Sequence, residues 1–428
     1  MSQRISGVKG MSDLLPPDIA VWHALEAATR ETFRRFGYDE ARTPLLEDTA
    51  LFVRSVGEAT DIVGKEMYTF LDKGGRSLSL RPEGTAPLVR AYVEHAVTQR
   101  EPVTRWWYLG PMFRYERMKA GRYRQFWQIG AEAYGVGAPA QETELIDLAM
   151  QLFRAVGLQG IRVELNSLGD PETRGAYLES LRAFLRAHRS ELCAECQERT
   201  EKNPLRVFDC KNPGCQAVLA GAPAITDALS GEARKHFEDV QRQLGVLGIP
   251  FRVNPRMVRG IDYYTRTAFE FLSEDPVLGT ASAVGGGGRY DRLVKELGGP
   301  DTPAVGWALG MDRLCLLLQA QGTVQPGHPE LFVAIAEEAA ADAALALVSR
   351  LRKSGHRVEF DARGGSLKSQ MKRADKSGAT FALVLGSREL TSGEAQLKPL
   401  AGGEPLPVRL DALESALAAR RGPPDSSL

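Results

Sequence analysis

Apolar residues along this chain recur with two periods, and the switches between them lay out its elements. From about Ala20 to Phe36, Trp22, Leu25, Phe33 and Phe36 fall at helical spacing and Gly37 supplies a stop. Thr43-Pro44-Leu45-Leu46-Glu47 then reads as a strand carrying a proline, and short apolar strands alternate with basic loops to about Gly169. Residues 170–247 change character, with charged residues at helical spacing predicting a helix-rich stretch that has its own cysteines. Strands resume at Phe251 and run through a glycine-dense region over 285–310. Beyond the linker at 321–329 the two periods alternate. They predict a strand over 331–336, a helix to 353, a strand over 357–360, a helix over 366–377 and a strand over 380–385. Such an order predicts a small α/β domain with mostly parallel strands. The last residues, 422–428, have the composition of a disordered tail, and no internal repeat is evident.

Length and composition place these elements in a large globular protein. With 428 residues and 43% hydrophobic content the chain can form two or three domains with ample core. No run of 18 apolar residues occurs and residues 1–10 lack an apolar signal core, so a cytoplasmic protein without a membrane partner is expected. The formal net charge of zero argues against a general polyanion binder but leaves room for local basic faces. One is found at 349–376, which holds nine Lys or Arg against three Asp or Glu, whereas 329–348 holds four acids and no base.

Four segments carry candidate chemistry. In Val258-Arg259-Gly260-Ile261-Asp262-Tyr263-Tyr264 a permanently charged planar fork, suited to carboxylate or phosphate, stands beside a glycine that lets a ligand approach the backbone. Alternation then puts Thr265, Thr267, Phe269 and Phe271 on one face and Tyr264, Arg266, Ala268 and Glu270 on the other, so only one of the two tyrosines faces a given pocket unless a bulge intervenes. The second segment reads as two antiparallel strands, with Arg114 and Glu116 on one face of the first and Gln128, Gly130 and Glu132 on one face of the second. Gly130 leaves an empty slot between an amide and a carboxylate. The loop between them holds Arg117, Lys119, Arg122 and Arg124 with Tyr123 and no acid, suited to phosphate and a stacked base, although a solvated hairpin tip also fits. In the third, Leu80-Arg81-Pro82-Glu83-Gly84-Thr85, alternation places Arg81, Glu83 and Thr85 on one side, where a carboxylate and a hydroxyl can receive an ammonium group; a turn with a salt bridge is the plainer reading. The fourth joins the glycines 285–288 to Ala304 through Arg313, offering a flat ligand a bare strand backbone and an arginine at a helix start.

Together these segments resemble the signatures of the histidyl-tRNA synthetases, class II aminoacyl-tRNA synthetases. Residues 258–270 resemble the second histidine-specific signature, 113–132 the second class II motif, 80–85 the segment that binds the amino group, and 285–314 the third class II motif. The helix and proline-bearing strand near the N-terminus resemble the dimer-forming first motif. Asp312 stands where the family usually has glutamate, and its shorter reach leaves its role open. The resemblance runs from Gly10 into the C-terminal domain.

The resemblance implies an α+β fold: an antiparallel sheet with flanking helices over 1–169 and 251–322, a helical insertion at 170–250, and an anticodon-binding α/β domain at 329–422. It further implies a homodimer that joins L-histidine to tRNA(His) through a histidyl-adenylate, with ATP as substrate and Mg²⁺ on its pyrophosphate portion. Arg114 and Arg259 are implied at the α-phosphate, with Glu116 and Arg313 also on ATP. Glu83, Gly84, Thr85 and Gln128 are implied at the histidine amino group; Glu132 and Tyr264 at the imidazole nitrogens; Tyr263 and Tyr290 around them. Arg117, Lys119, Arg122 and Arg124 are implied at the tRNA acceptor end. A regulatory paralogue from histidine biosynthesis shares this catalytic fold without aminoacylation, but that class typically lacks the extra domain and degrades the arginine signature. A non-enzymatic tRNA-sensing module would need a further domain to regulate.

Cys193 and Cys196, followed by Cys210 and Cys215, have the paired-knuckle spacing of a structural zinc site in a reducing cytosol; four free thiols are the alternative. Cys315, among leucines, reads as core, and the six histidines show no ligand spacing.

Overall fold

The computed structural model describes residues 5–57, 60–258, 261, 263–279, 282–324 and 327–420, and the chain divides into two compact units, 1–324 and 325–428. In the first, an eight-stranded sheet has the spatial order Asp39–Glu40, Thr104–Phe113, Gln125–Tyr134, Ala304–Gly310, Ala283–Arg289, Thr265–Ser273, Ile161–Ser167, Phe251–Val253. The five inner pairings are antiparallel, and each short edge strand lies parallel to its neighbour.

Alternation along these strands divides the work between the two faces. Ile129, Ala131, Ala133, Phe269, Phe271 and Trp307 join a core shared with the helices Ile19–Phe36, Ala140–Ala155 and Met311–Gln321, while Gln128, Gly130 and Glu132 point the other way. Phe33 anchors the first helix in that core with its ring 5.0 Å from Trp107 and 5.8 Å from Trp307. The helix ends as its periodicity requires: Gly37 takes φ +70° and its N–H reaches the carbonyls of Arg34 and Phe33. The strand expected at 43–47 begins later, at Leu46, and belongs to a separate three-stranded sheet with Ser77–Leu80 and Thr69–Leu71.

Between Ser167 and Phe251 the described residues form only helices and turns. Tyr177, Leu181, Leu185, Leu205, Val207 and Leu219 make a small core of their own with three of the cysteines. The last helix, Gly231–Val246, instead gives Phe237, Val240 and Leu244 to the core of the large sheet. Its His236 also enters a buried polar cluster in which Glu142 Oε1 lies 2.6 Å from His236 Nε2 and 2.8 Å from Arg289 Nε. Arg289 is fully buried; Nη2 reaches the other Glu142 oxygen and the Ala138 carbonyl, and Nη1 reaches Asp291 Oδ1 and the Val136 carbonyl, each 3.0 Å away.

The second unit carries a five-stranded sheet in the order Val358–Phe360, Leu331–Ile335, Phe381–Leu385, Glu394–Pro399, Leu406–Arg409. The first three strands are parallel, as expected, and an unanticipated antiparallel pair closes the other edge. Leu331 and Val333 feed one core, Phe332 and Ala334 another, so both faces of this sheet are covered. Most of the basic run is exposed: Arg350, Arg352, Lys353, Arg357, Arg363, Lys368, Lys372 and Lys376.

Candidate active site

A cavity of about 440 Å³ opens on the face of the large sheet away from its helices. Glu83 and Thr85 line it from the start of the helix Thr85–Glu94, Arg114, Glu116, Arg122 and Gln128 from the hairpin, and Tyr263, Tyr264, Gly285, Gly286 and Arg313 from the strands and helix beyond.

One side of the cavity is built of acceptors. Glu83 takes the N–H of Thr85 at 2.7 Å and of Ala86 at 2.8 Å, capping the helix, and burial pushes its carboxyl above the usual range despite these amides. Thr85 Oγ1 donates to Glu132 Oε1 at 2.6 Å, and the Tyr290 hydroxyl donates to the other oxygen. Glu132 is wholly buried, which pushes its carboxyl up to about 8, with Glu83 adding to the effect. Gln128 Oε1 is buried and has no hydrogen-bond partner among the described residues, an acceptor awaiting a donor. The Tyr263 ring lies 4.7 Å from that of Tyr264 and 5.5 Å from that of Tyr290.

The other side is cationic. Arg114 anchors Nε on the Pro82 carbonyl at 2.8 Å with its guanidinium 5.2 Å from the Phe126 ring. Arg122 reaches Glu116 at 3.1 Å. Arg313 holds the Gly121 carbonyl at 3.0 Å through Nε and the Ala283 carbonyl through Nη1, and burial with Arg122 and Arg114 nearby lowers its pKa to about 10, still charged at neutral pH. A cavity with donors of fixed charge at one end and buried acceptors at the other suits a small zwitterion joined to a phosphate.

A family model described as histidyl-tRNA synthetase matches residues 10–314, and one described as an anticodon binding domain matches 330–420. A histidine–tRNA ligase of Anaeromyxobacter dehalogenans is 51% identical over 418 residues, which are 97% of this chain and 99% of the relative. The chain belongs to the histidyl-tRNA synthetase family. The apo histidyl-tRNA synthetase of S. aureus superposes on it with a TM-score of 0.80 at 36% identity, covering 97% of this chain and 100% of that one. A Bacillus halodurans chain described as an ATP phosphoribosyltransferase regulatory subunit/histidyl-tRNA synthetase reaches 0.65 at 21% identity, over 87% and 97%, and shares the fold.

For a histidyl-tRNA synthetase, the structure rearranges several sequence expectations. Both tyrosines line the cavity, because both precede the strand Thr265–Ser273 and are not bound by its alternation. Within the strand the pairing with Ala283–Arg289 slips between Gly288 and Arg289, and Arg266 sits at φ +47°, a bulge that breaks the expected period as well. Arg81 does not share the side of Glu83 and Thr85. The strand ends at Leu80, and Arg81 turns away to the carbonyls of Pro111 and Thr43, each 3.1 Å away. The slot beside Gly130 is filled by the ring of Tyr108, its cross-strand partner, and a Cβ at Gly130 or at Gly84 would collide with that ring. Of the glycine run, Gly285 and Gly286 line the cavity, and Gly285, Gly287 and Gly288 admit neighbouring strand backbone. Asp312 accepts the N–H of Trp127 at 2.7 Å, so it holds a strand end, and burial pushes it up to about 6.

Glu132 stands one hydrogen bond behind the cavity wall, joined to it through Thr85, and Tyr290 one further, joined through Glu132. Arg117 and Lys119 are exposed on the hairpin loop, and Arg124 lies over the Tyr115 ring at 3.7 Å; none of the three lines the cavity. Arg259, Gly260 and Asp262 lie outside the described residues. Tyr108, Asp61, Glu66 and Arg206 were not anticipated. Only Tyr108 left a signal, two glycines on separate elements that make room for one ring.

Proposed function

We propose that this chain uses ATP to convert L-histidine to histidyl-adenylate and then transfers the histidyl group to the 3′-terminal ribose of tRNA(His). The observation that carries the reading is the buried, unpartnered Gln128 Oε1 beside Glu83 and Thr85 in the cavity that also holds Arg114, Arg122 and Arg313. The acceptors suit the α-ammonium group of histidine. Tyr264 and Glu132 read the imidazole nitrogens, with Tyr263 and Tyr290 closing the pocket. Glu132 reaches the ring only when Thr85 or Tyr290 exchanges its hydrogen bond for the ligand's. Each charge-assisted bond contributes about 1.5–3 kcal/mol. An amino acid lacking either nitrogen leaves a buried group unpaired, so selection needs no editing domain.

On the cationic side, Arg114 and Arg259 hold the α-phosphate, and Glu116 and Arg313 the rest of the nucleotide. Glu66 and Glu116 on the cavity wall would hold Mg²⁺ brought with ATP, which would supply charge neutralisation of the pyrophosphate portion. A histidine carboxylate oxygen attacks the α-phosphorus, the bond to pyrophosphate breaks, and the arginines stabilise the charge that builds there. The ribose hydroxyl then attacks the adenylate carbonyl and releases AMP. Arg117, Lys119, Arg122 and Arg124 receive the acceptor end, and the basic run of the second unit contacts the tRNA elsewhere. The protein works in the cytoplasm as a homodimer. A zinc ion at the four cysteines is structural, since none of them lines the cavity.

ATP–pyrophosphate exchange measured with each amino acid in turn tests the reading. Exchange with histidine alone, followed by charging of tRNA(His), is expected. No exchange with any amino acid would make the chain a regulatory paralogue on the same fold.

A further inference from the structure

Four sulfur atoms from three separate elements meet in the helical stretch. Cys193 precedes the helix Ala194–Lys202, Cys196 lies in its first turns, Cys210 follows the 3-10 turn Pro204–Asp209, and Cys215 lies in the helix Pro213–Leu219. All four Sγ atoms lie within 4.8 Å of one another, and those of Cys193 and Cys210 are 3.9 Å apart. A disulfide would need about 2 Å. A tetrahedron with metal–sulfur bonds of about 2.3 Å has edges of about 3.8 Å. The N–H of Cys193 points at the Cys215 sulfur from 3.2 Å and that of Asn212 at the Cys210 sulfur from 3.4 Å. Amide donors favour thiolates, the form that binds a metal, and free thiols packed as small apolar groups have no use for them. The elements so joined are short, nine, six and seven residues, and share a small core that a metal would reinforce.

The same turn reaches the cavity. Arg206 lines the wall, with Nη2 2.9 Å from Asp61 Oδ2 and Nε 2.8 Å from Asp209 Oδ2, while its carbonyl accepts from Arg199 of the preceding helix at 3.2 Å. Asp61 belongs to the cationic side, since it and Glu116 both act on Glu66, whose carboxyl burial raises and Arg114 pulls down.

We infer that Cys193, Cys196, Cys210 and Cys215 bind one zinc ion tetrahedrally, and that this ion, by fixing Pro204–Asp209, holds Arg206 in place as a further cation on the nucleotide side of the cavity. The second half rests on the cavity being the ATP and histidine site; the first does not.

Elemental analysis of the untagged full chain, purified without chelator, should find about one zinc per chain, as a single closed four-sulfur site requires. Adding Co²⁺ to the reduced, metal-depleted chain should produce thiolate-to-cobalt absorption, a readout that needs no variant. Zinc below about a tenth of an equivalent together with no cobalt–thiolate absorption overturns the metal site. In pyrophosphate exchange, metal depletion, Cys210→Ser and Arg206→Ala should each raise KM for ATP by about five- to tenfold with kcat changed less than about twofold, on the scale of one ordinary hydrogen bond. The double variant should be no worse than either single one. Additive losses, or an unchanged KM in Arg206→Ala, overturn the link to the cavity, and loss of exchange in the unaltered chain strikes the functional reading instead.

Discussion

At Gly130 one absent methyl group shapes the histidine side of the cavity. The Tyr108 ring occupies the space over Gly130 and Gly84 and cannot retreat from the buried layer around it. Gly130→Ala should therefore cost about 1–3 kcal/mol of stability, as overpacking does, and raise KM for histidine by about tenfold or more. Thermal unfolding and pyrophosphate exchange would check both, and unchanged values would mean the ring moves freely. Glu132 makes a second residue-scale prediction. Its carboxyl titrates near 8 in the fold, because burial disfavours the charge, against 4.5 when exposed. Over that window the folded chain keeps a proton that the unfolded chain has released, so stability contributed by this group is full below about 4.5 and is lost as pH rises through about 8. Glu132→Gln should flatten that decline, so that the wild type loses stability relative to the variant between about pH 5 and 8. A constant difference between their denaturant midpoints across that range would contradict the protonated state.

At the scale of elements, one carboxylate ties three of them together. Glu142 on the helix Ala140–Ala155 joins His236 on the helix Gly231–Val246 to Arg289 at the end of a central strand, one residue before Tyr290. Removing its charge leaves the buried Arg289 with only the part-exposed Asp291 carboxylate opposite it, and Glu142→Gln should cost up to about 3–5 kcal/mol. Replacing the pair with apolar residues, Glu142→Leu with Arg289→Met, should cost less than Glu142→Gln alone, because no fully buried charge remains and Asp291, 29% exposed, keeps access to water. Calorimetry on the three chains decides this; a double variant less stable than the single would assign Arg289 a role beyond charge pairing. None of this cluster was evident in the sequence, where Glu142, His236 and Arg289 are far apart and each has an ordinary surface explanation. The bulge at Arg266 was equally hidden, since period-two alternation describes a regular ladder and carries no information about where the ladder slips.

For the whole molecule, the two compact units suggest two separable tasks. The cavity lies entirely in residues 61–313, while residues 330–420 match an anticodon binding domain and carry the exposed basic run. Deleting residues from 330 onward should leave histidine-dependent pyrophosphate exchange within about threefold while lowering tRNA charging by about a hundredfold or more, as expected when several phosphate contacts are lost. Charging by the full chain should also fall more steeply with salt than exchange does. Equal losses in both reactions, with the shortened chain still folded, would argue against the division.

Periodicity and the signature residues were enough to read the first helix to within a residue, the first three strands of the second unit and the helices between them, the family, and four of the segments that build the cavity. Those features are local: a repeat of 3.6 or 2 and a short constellation such as Arg114 with Glu116 are written in consecutive positions. Folding was needed for everything that depends on partners distant in sequence. It seated Tyr108 between Gly84 and Gly130, set Glu132 behind Thr85 and Tyr290, turned Arg81 away from the cavity, and brought Arg206 to its edge. A side chain's neighbours are chosen by strand register and by the empty volume glycines leave, and neither is fixed until the sheet has formed.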